Sequence, residues 1–331
     1  MNWAQALPVI FMGLMGLAML AYVVLDGYDL GVGLLLPRAS DADKDTMIAS
    51  IGPFWDANET WLVLGVGILL IAFPKAHGVI LTALYLPVAL MLVGLILRGV
   101  SFDFRVKAQD SHKPLWNFAF FAGSGLAAAS QGWMLGRYIT GLAEGWPYLL
   151  FAAAIALMLP AAYVLLGACW LIMKTEGELQ WLAVRWAKTA WVPVVLGMGL
   201  ISLATPAVSE TVRARWFVMP QIIALLPIPI VTLLALIGAR ALLNSHRVRG
   251  KLCWLPFGLV VTVFVLGALG LAYSLFPYVV MDRLTIWQAA SATESLAVIL
   301  VGCAITVPAI VGYTIFSYRV FWGKAGELNY A

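Results

Sequence analysis

The sequence predicts an all-α polytopic membrane protein with nine transmembrane helices. Three observations carry that prediction. Of 331 residues, 63% are hydrophobic and only 11% charged, whereas soluble domains run at about 45–50% apolar and about 25% charged. Mean hydropathy is +0.95. Apolar runs of about 20 residues or more, enough to cross a bilayer, recur along the chain with short polar loops between them.

In order, the runs are residues 7–36, 52–73, 78–98, 115–137, 147–173, 189–208, 217–240, 252–279 and 291–318. The first lacks a basic leader and an A-x-A site, so it reads as a retained span. The second opens Gly52-Pro53-Phe54-Trp55-Asp56; proline suits a helix start and acids suit its positive end. The third ends in Arg98 and continues to Phe102-Asp103-Phe104-Arg105. Pro227 and Pro229 kink the seventh. In the ninth, Ser291 and Glu294 have the spacing of a capping box, and Glu294 could equally be a polar relay or a quinone contact. No loop is long enough to fold alone, so residues 1–331 form one membrane domain. Residues 7–137 are expected as a first four-helix bundle, 147–279 as a second, and 291–318 as a peripheral ninth helix.

Orientation follows from Lys and Arg. Fifteen of the twenty lie in loops after odd-numbered runs, and five (Lys75, Arg137, Arg213, Arg215 and Arg283) after even-numbered ones. That bias places the N-terminus outside and the C-terminus in the cytoplasm. The net charge of +4 is accounted for by loop cations facing the anionic lipid bilayer. No basic, aromatic-interleaved segment lies outside the apolar runs, which excludes a nucleic-acid partner.

Against this background, Asp26 and Asp29 stand out. They lie three residues apart at the end of the first run, on one helix face, where charge is costly and usually functional. Asp26 lies about 27 Å along a helix from Pro8, near the cytoplasmic boundary. By the same topology Asp56, Asn58, Glu59, Arg98 and Asp103 reach that boundary. Arg98 is the natural counter-charge, and acids held beside a fixed guanidinium in a partly dry site can pass protons near neutral pH. Capping would account for Asp56, Glu59 and Asp103 equally simply, and snorkelling for Arg98. Gly27, Gly31 and Gly33 permit the close helix approach that encloses an acid.

The three histidines, His77, His112 and His246, all fall in loops or at run edges. A membrane haem needs an axial ligand such as His or Met, and the twelve methionines read as core filler, so neither haem nor metal is expected on this chain. Cys169, Cys253 and Cys303 form no CxxC and read as buried small side chains.

At these residues the chain resembles a known family. Asp26-Gly27-Tyr28-Asp29-Leu30-Gly31-Val32-Gly33 is similar to the DG[FY]D[LM]GVG signature of subunit II of cytochrome bd quinol oxidase. Trp55-Asp56-Ala57-Asn58-Glu59-Thr60-Trp61 resembles its WDGNxxW motif, with Ala57 in place of Gly. Arg98 through Arg105 resembles its arginine-to-FD[FY]R element, and Thr175-Glu176-Gly177-Glu178-Leu179 its TxGEL stretch. Length and Trp287-Gln288-Ala289-Ala290-Ser291 look most like the cyanide-insensitive branch; Gln288 replaces an acid of the long-chain branch. The resemblance implies a complex that oxidises quinol and reduces oxygen to water. Its haems b and d and its quinol site lie in a partner subunit I, and subunit II is needed for assembly. It further implies that acids matching Asp26 and Asp56 line a cytoplasmic proton path toward that partner. Asp26, Asp29, Asp56, Asn58, Glu59, Arg98 and Asp103 are the candidate path residues. A structural quinone in this chain and a small accessory subunit are left open by the sequence. The competing classes are an ion-coupled secondary transporter, whose acids would sit at the midplane within inverted repeats, and a scaffold with no proton role.

Overall fold

The computed structural model describes residues 3–325. Each apolar run is largely helical. The elements are α1 (Trp3–Leu35), α2 (Asp41–Ile51), α3 (Trp55–Ala72), α4 (Pro74–Lys107), α5 (Lys113–Ile139), α6 (Trp146–Lys174), α7 (Gly177–Val208), α8 (Glu210–Trp216), α9 (Gln221–Leu225), α10 (Pro227–Leu243), α11 (Leu255–Leu275), α12 (Ile286–Ala289) and α13 (Thr293–Val320). Among the described residues, eight helical segments are long and apolar enough to cross a membrane: those of α1, α3, α4, α6, α7, α10, α11 and α13. The fourth predicted span is α5, 27 residues long but interrupted by Asn117, Ser124, Ser130, Gln131 and Arg137. It packs along α4 on one side and α6 on the other.

The structure corrects several sequence expectations. Residues 41–51, read as loop, form α2. Ser40 caps it, accepting from the Asp43 backbone N–H, and Met47, Ile48 and Ile51 pack into the core. Span counting misses such a helix because its first turns are polar. At the exposed start of α2, a hydrogen bond from Lys44 holds Asp41 below the ordinary carboxylate range. Pro53 does not begin a helix; it lies in the turn before α3, and its carbonyl accepts from Ser317 Oγ at 3.3 Å. The helix of the sixth run starts at Gly177, because its first turns are amphipathic rather than apolar. Pro227 begins α10 and separates it from α9, since proline is welcome in a first turn and not inside a helix. The eighth run does not stay helical to residue 279. α11 stops at Leu275, and a hairpin follows, β1 (Tyr278–Val280) antiparallel to β2 (Leu284–Thr285). Ser291 does not cap the last helix. Its Oγ donates to the Ile71 carbonyl at 2.6 Å, and the capping box is Thr285 with Gln288 instead.

α1 is the central element, in contact with α3, α5, α6, α11 and α13. Outward side chains such as Leu157, Leu203 and Val298 are apolar and more than 70% exposed, as a lipid-facing surface requires.

Candidate functional site

α1 carries the first two acids into the interior because its surface there is made of small residues. Every residue from Asp26 to Leu35 is buried. A Cβ at Gly31 would lie 1.8 Å from the Tyr163 carbonyl oxygen, and one at Gly27 would lie 2.7 Å from the Tyr163 ring. The α6 backbone therefore rests directly on α1 and shuts off that side of the acids.

Arg98 of α4 meets them. Its Nη1 is 2.5 Å from Asp26 Oδ1, and its Nη2 donates to Glu59 Oε1 of α3. Asp26 and Arg98 are at most 1% exposed, while the Glu59 side chain is 28% exposed. Glu59 thus joins the buried pair to the surface. Beside it, Asn58 Nδ2 donates to Asp29 Oδ2 at 2.8 Å. The same nitrogen lies 3.0 Å from the Tyr28 hydroxyl and 3.2 Å from the Leu25 carbonyl. The Tyr28 and Tyr318 hydroxyls are 2.6 Å apart, and Tyr318 donates to Asn58 Oδ1 at 3.3 Å. Both Asp26 oxygens, Asp29 Oδ1, and Arg98 Nε and Nη1 are buried and lack an aligned hydrogen bond. Asp26 Oδ1 and Arg98 Nη1 are partners in the ion pair, which leaves Asp26 Oδ2, Asp29 Oδ1 and Arg98 Nε as the unpaired atoms. A polar group left so in a dry interior is costly, about 1–3 kcal/mol, and their convergence marks a site rather than a packing choice.

Two of the candidates stay outside this cluster. Asp56 and Asp103 are exposed. The buried face of α3 runs through Asn58, Trp61, Gly65, Ile68 and Ala72. That helical spacing leaves Asp56 on another face and puts Glu59 at the edge. On α4 the buried stripe is Arg98, Ser101, Phe102 and Arg105, which turns Asp103 outward. Arg105 instead ties the end of α4 to α2 and α5. It donates through Nη2 to Asp45 at 2.6 Å and through Nε to Asn117 at 2.5 Å.

Sequence reasoning missed four polar residues around the cluster: Tyr22, Gln131 and Tyr163, which are buried, and Tyr318, which is partly buried. Tyr22 was legible, one turn before Asp26 on the same face; the others became neighbours only through helix packing. Among the described residues, no three His, Cys, Asp or Glu side chains group as metal ligands. Cys169 and Cys303 are buried, Cys253 is partly so, and all three are free thiols.

Comparison with known proteins places this geometry. Residues 7–321 match the family described as cytochrome bd terminal oxidase subunit II. The chain is 26% identical to cytochrome bd ubiquinol oxidase subunit 2 of Bacillus subtilis (strain 168), over 96% of this chain and 94% of that one. It is also 26% identical to cytochrome bd-I ubiquinol oxidase subunit 2 of Escherichia coli (strain K12), over 97% and 95%. Its fold resembles a chain of the bd oxidase from Geobacillus thermodenitrificans, with a TM-score of 0.77 at 17% identity, covering 96% of this chain and 100% of that chain. A match that runs from the first helix into the turn after the last, and takes in every residue of the buried acid cluster, places the chain in the cytochrome bd terminal oxidase subunit II family.

Proposed function

We propose that this chain is the haem-free subunit of a bacterial inner-membrane quinol oxidase and that it feeds cytoplasmic protons to a haem-bearing partner, subunit I. The observation that carries this reading is the buried Asp26–Arg98–Glu59 arrangement, joined to Asp29 through the packing of α1 on α3. Three carboxyl groups meet one guanidinium there, so the cluster is electrically neutral only when it holds two protons. A group of acids that must exchange protons to balance its charge, with one member at the surface, has the makings of a relay.

The path begins at Asp56, exposed in the first turn of α3. Glu59 lies about 4.5 Å further along that helix. Next come Asp26, held by Arg98, and Asp29, held by Asn58. Asp103 gathers protons at the mouth. The charge bias of the loops puts this end in the cytoplasm, with the N-terminus outside. Protons for water formation then come from inside while quinol protons leave outside, so turnover is electrogenic without a pump.

The haems are assigned to the partner. His77 lies in the first turn of α4, His112 just before α5 and His246 in a short 3-10 turn, so no two of them face each other across a helix pair as axial ligands do. In this reading α5 is also a span, the fourth in chain order, which brings the total to nine. α1, α3, α4 and α5 form one four-helix bundle, α6, α7, α10 and α11 a second, and α13 lies at the edge.

Asp26→Asn in the purified complex tests the assignment. Oxygen consumption should fall at least tenfold with the haem absorption spectrum unchanged. Consumption at the parental rate would overturn the proton role, and loss of haem would make Asp26 structural.

A further inference from the structure

The buried Tyr22, Gln131 and Tyr163 side chains are not used by the path described above. They come from α1, α5 and α6 and are 1%, 8% and 0% exposed. Tyr163 donates its hydroxyl proton to Gln131 Oε1 at 2.6 Å, and Gln131 Nε2 donates to the Tyr22 oxygen at 2.8 Å. The direction of these bonds matters. Gln131 spends its amide N–H on the lone pair of Tyr22, so the Tyr22 proton is left to donate elsewhere. Asp26 lies one turn further along the same face of α1, buried like Tyr22, and neither of its oxygens has an aligned donor in place.

The far end of the chain supports a holding role over a conducting one. The Tyr163 ring rests on Gly27 and stacks on Phe264, with centroids 6.1 Å apart. Among the described residues its hydroxyl makes no second hydrogen bond that would carry a proton onward. The chain is closed at one end and points at Asp26 from the other.

We infer that Tyr163 and Gln131 are positioning residues that orient the Tyr22 hydroxyl to donate to the Asp26 carboxyl. The inference rests on the proton-path reading for its consequence in turnover, but not for its geometry. Asp26 is then held by two donors, the Tyr22 hydroxyl and the Arg98 guanidinium, which also pairs with Glu59. A donor fixed in advance costs no reorganisation when the carboxyl changes its proton.

The test is a double-variant cycle in the assembled complex with Tyr22→Phe, Gln131→Leu and both together. Two quantities are read: oxygen consumption, and the infrared band of the Asp26 carboxyl group, identified by its disappearance in Asp26→Asn. Tyr22→Phe and Gln131→Leu should each shift that band and slow oxygen consumption by several-fold, with haem spectra unchanged. Because Gln131 acts through Tyr22, the double variant should be no worse than Tyr22→Phe alone. Tyr163→Phe should give a weaker change of the same kind. An unmoved Asp26 band in Tyr22→Phe, or fully additive effects in the double variant, would overturn the inference. Should Asp26→Asn respire normally, the path would fall while the infrared band still decided the positioning role.

Discussion

Arg98 is the residue on which the cluster turns. It is 1% exposed, and its side chain is the cation against which Asp26 and Glu59 are set. Taking an ion pair out of water is expensive, and the expense is recovered only while both partners are present. Arg98→Leu should therefore destabilise the subunit by about 3–5 kcal/mol, the usual cost of leaving a buried charge alone. The loss would appear as a lower Tm of the solubilised complex. A Tm within a degree of the parent would mean that the acids have another partner. The Trp55 ring, 5.9 Å from the guanidinium carbon, adds a weaker cation–π contact. It does not replace a carboxylate.

Helices bring these residues together by how closely they pack, and small residues set that distance. At Gly31 a methyl group would run into backbone of α6, which cannot swing aside as a side chain could. Gly13, earlier on the same helix, has nothing within 4 Å of such a group. Gly31→Ala should lower both the Tm and the yield of assembled complex, and Gly13→Ala should leave both unchanged. Equal behaviour of the two variants in a thermal unfolding assay would show that α1 does not need its close crossing. Much of this was legible in the sequence. Apolar runs located the helices, and Asp26-Gly27-Tyr28-Asp29 together with Gly31 named both the buried acids and the means of burying them. What escaped was set by phase and by partners. The repeat Asn58, Trp61, Gly65 and Ile68 turns Asp56 outward, a phase that the sequence itself carries. α2 and the first turns of α7 were invisible to a search for apolar runs because they are amphipathic. Gln131 and Tyr163 lie 109 and 32 residues from the groups they hold, Tyr22 and Gln131 respectively, and no local pattern announces such contacts.

Across the whole molecule, the buried charged side chains Asp26, Asp29, Arg98, Arg105 and Lys174 are gathered toward one end of the helices, and many outward side chains are apolar. α13 ties into that end through Tyr318 and through the turn that follows it: Lys174 Nζ donates to the Phe321 carbonyl at 2.7 Å, and Lys324 Nζ to the Thr175 carbonyl at 2.9 Å. The last helix is thereby fastened beside Asn58 and Asp29. On the proposed reading, a protein built this way would bring protons to a partner that carries the oxygen chemistry. The most direct test follows proton uptake from the cytoplasmic side when oxygen is given to the fully reduced complex, comparing the parent with Asp26→Asn in proteoliposomes of known orientation. The account predicts that uptake in the variant is slowed at least tenfold while the haem spectrum is unaltered. Uptake at the parental rate from the same side would contradict it.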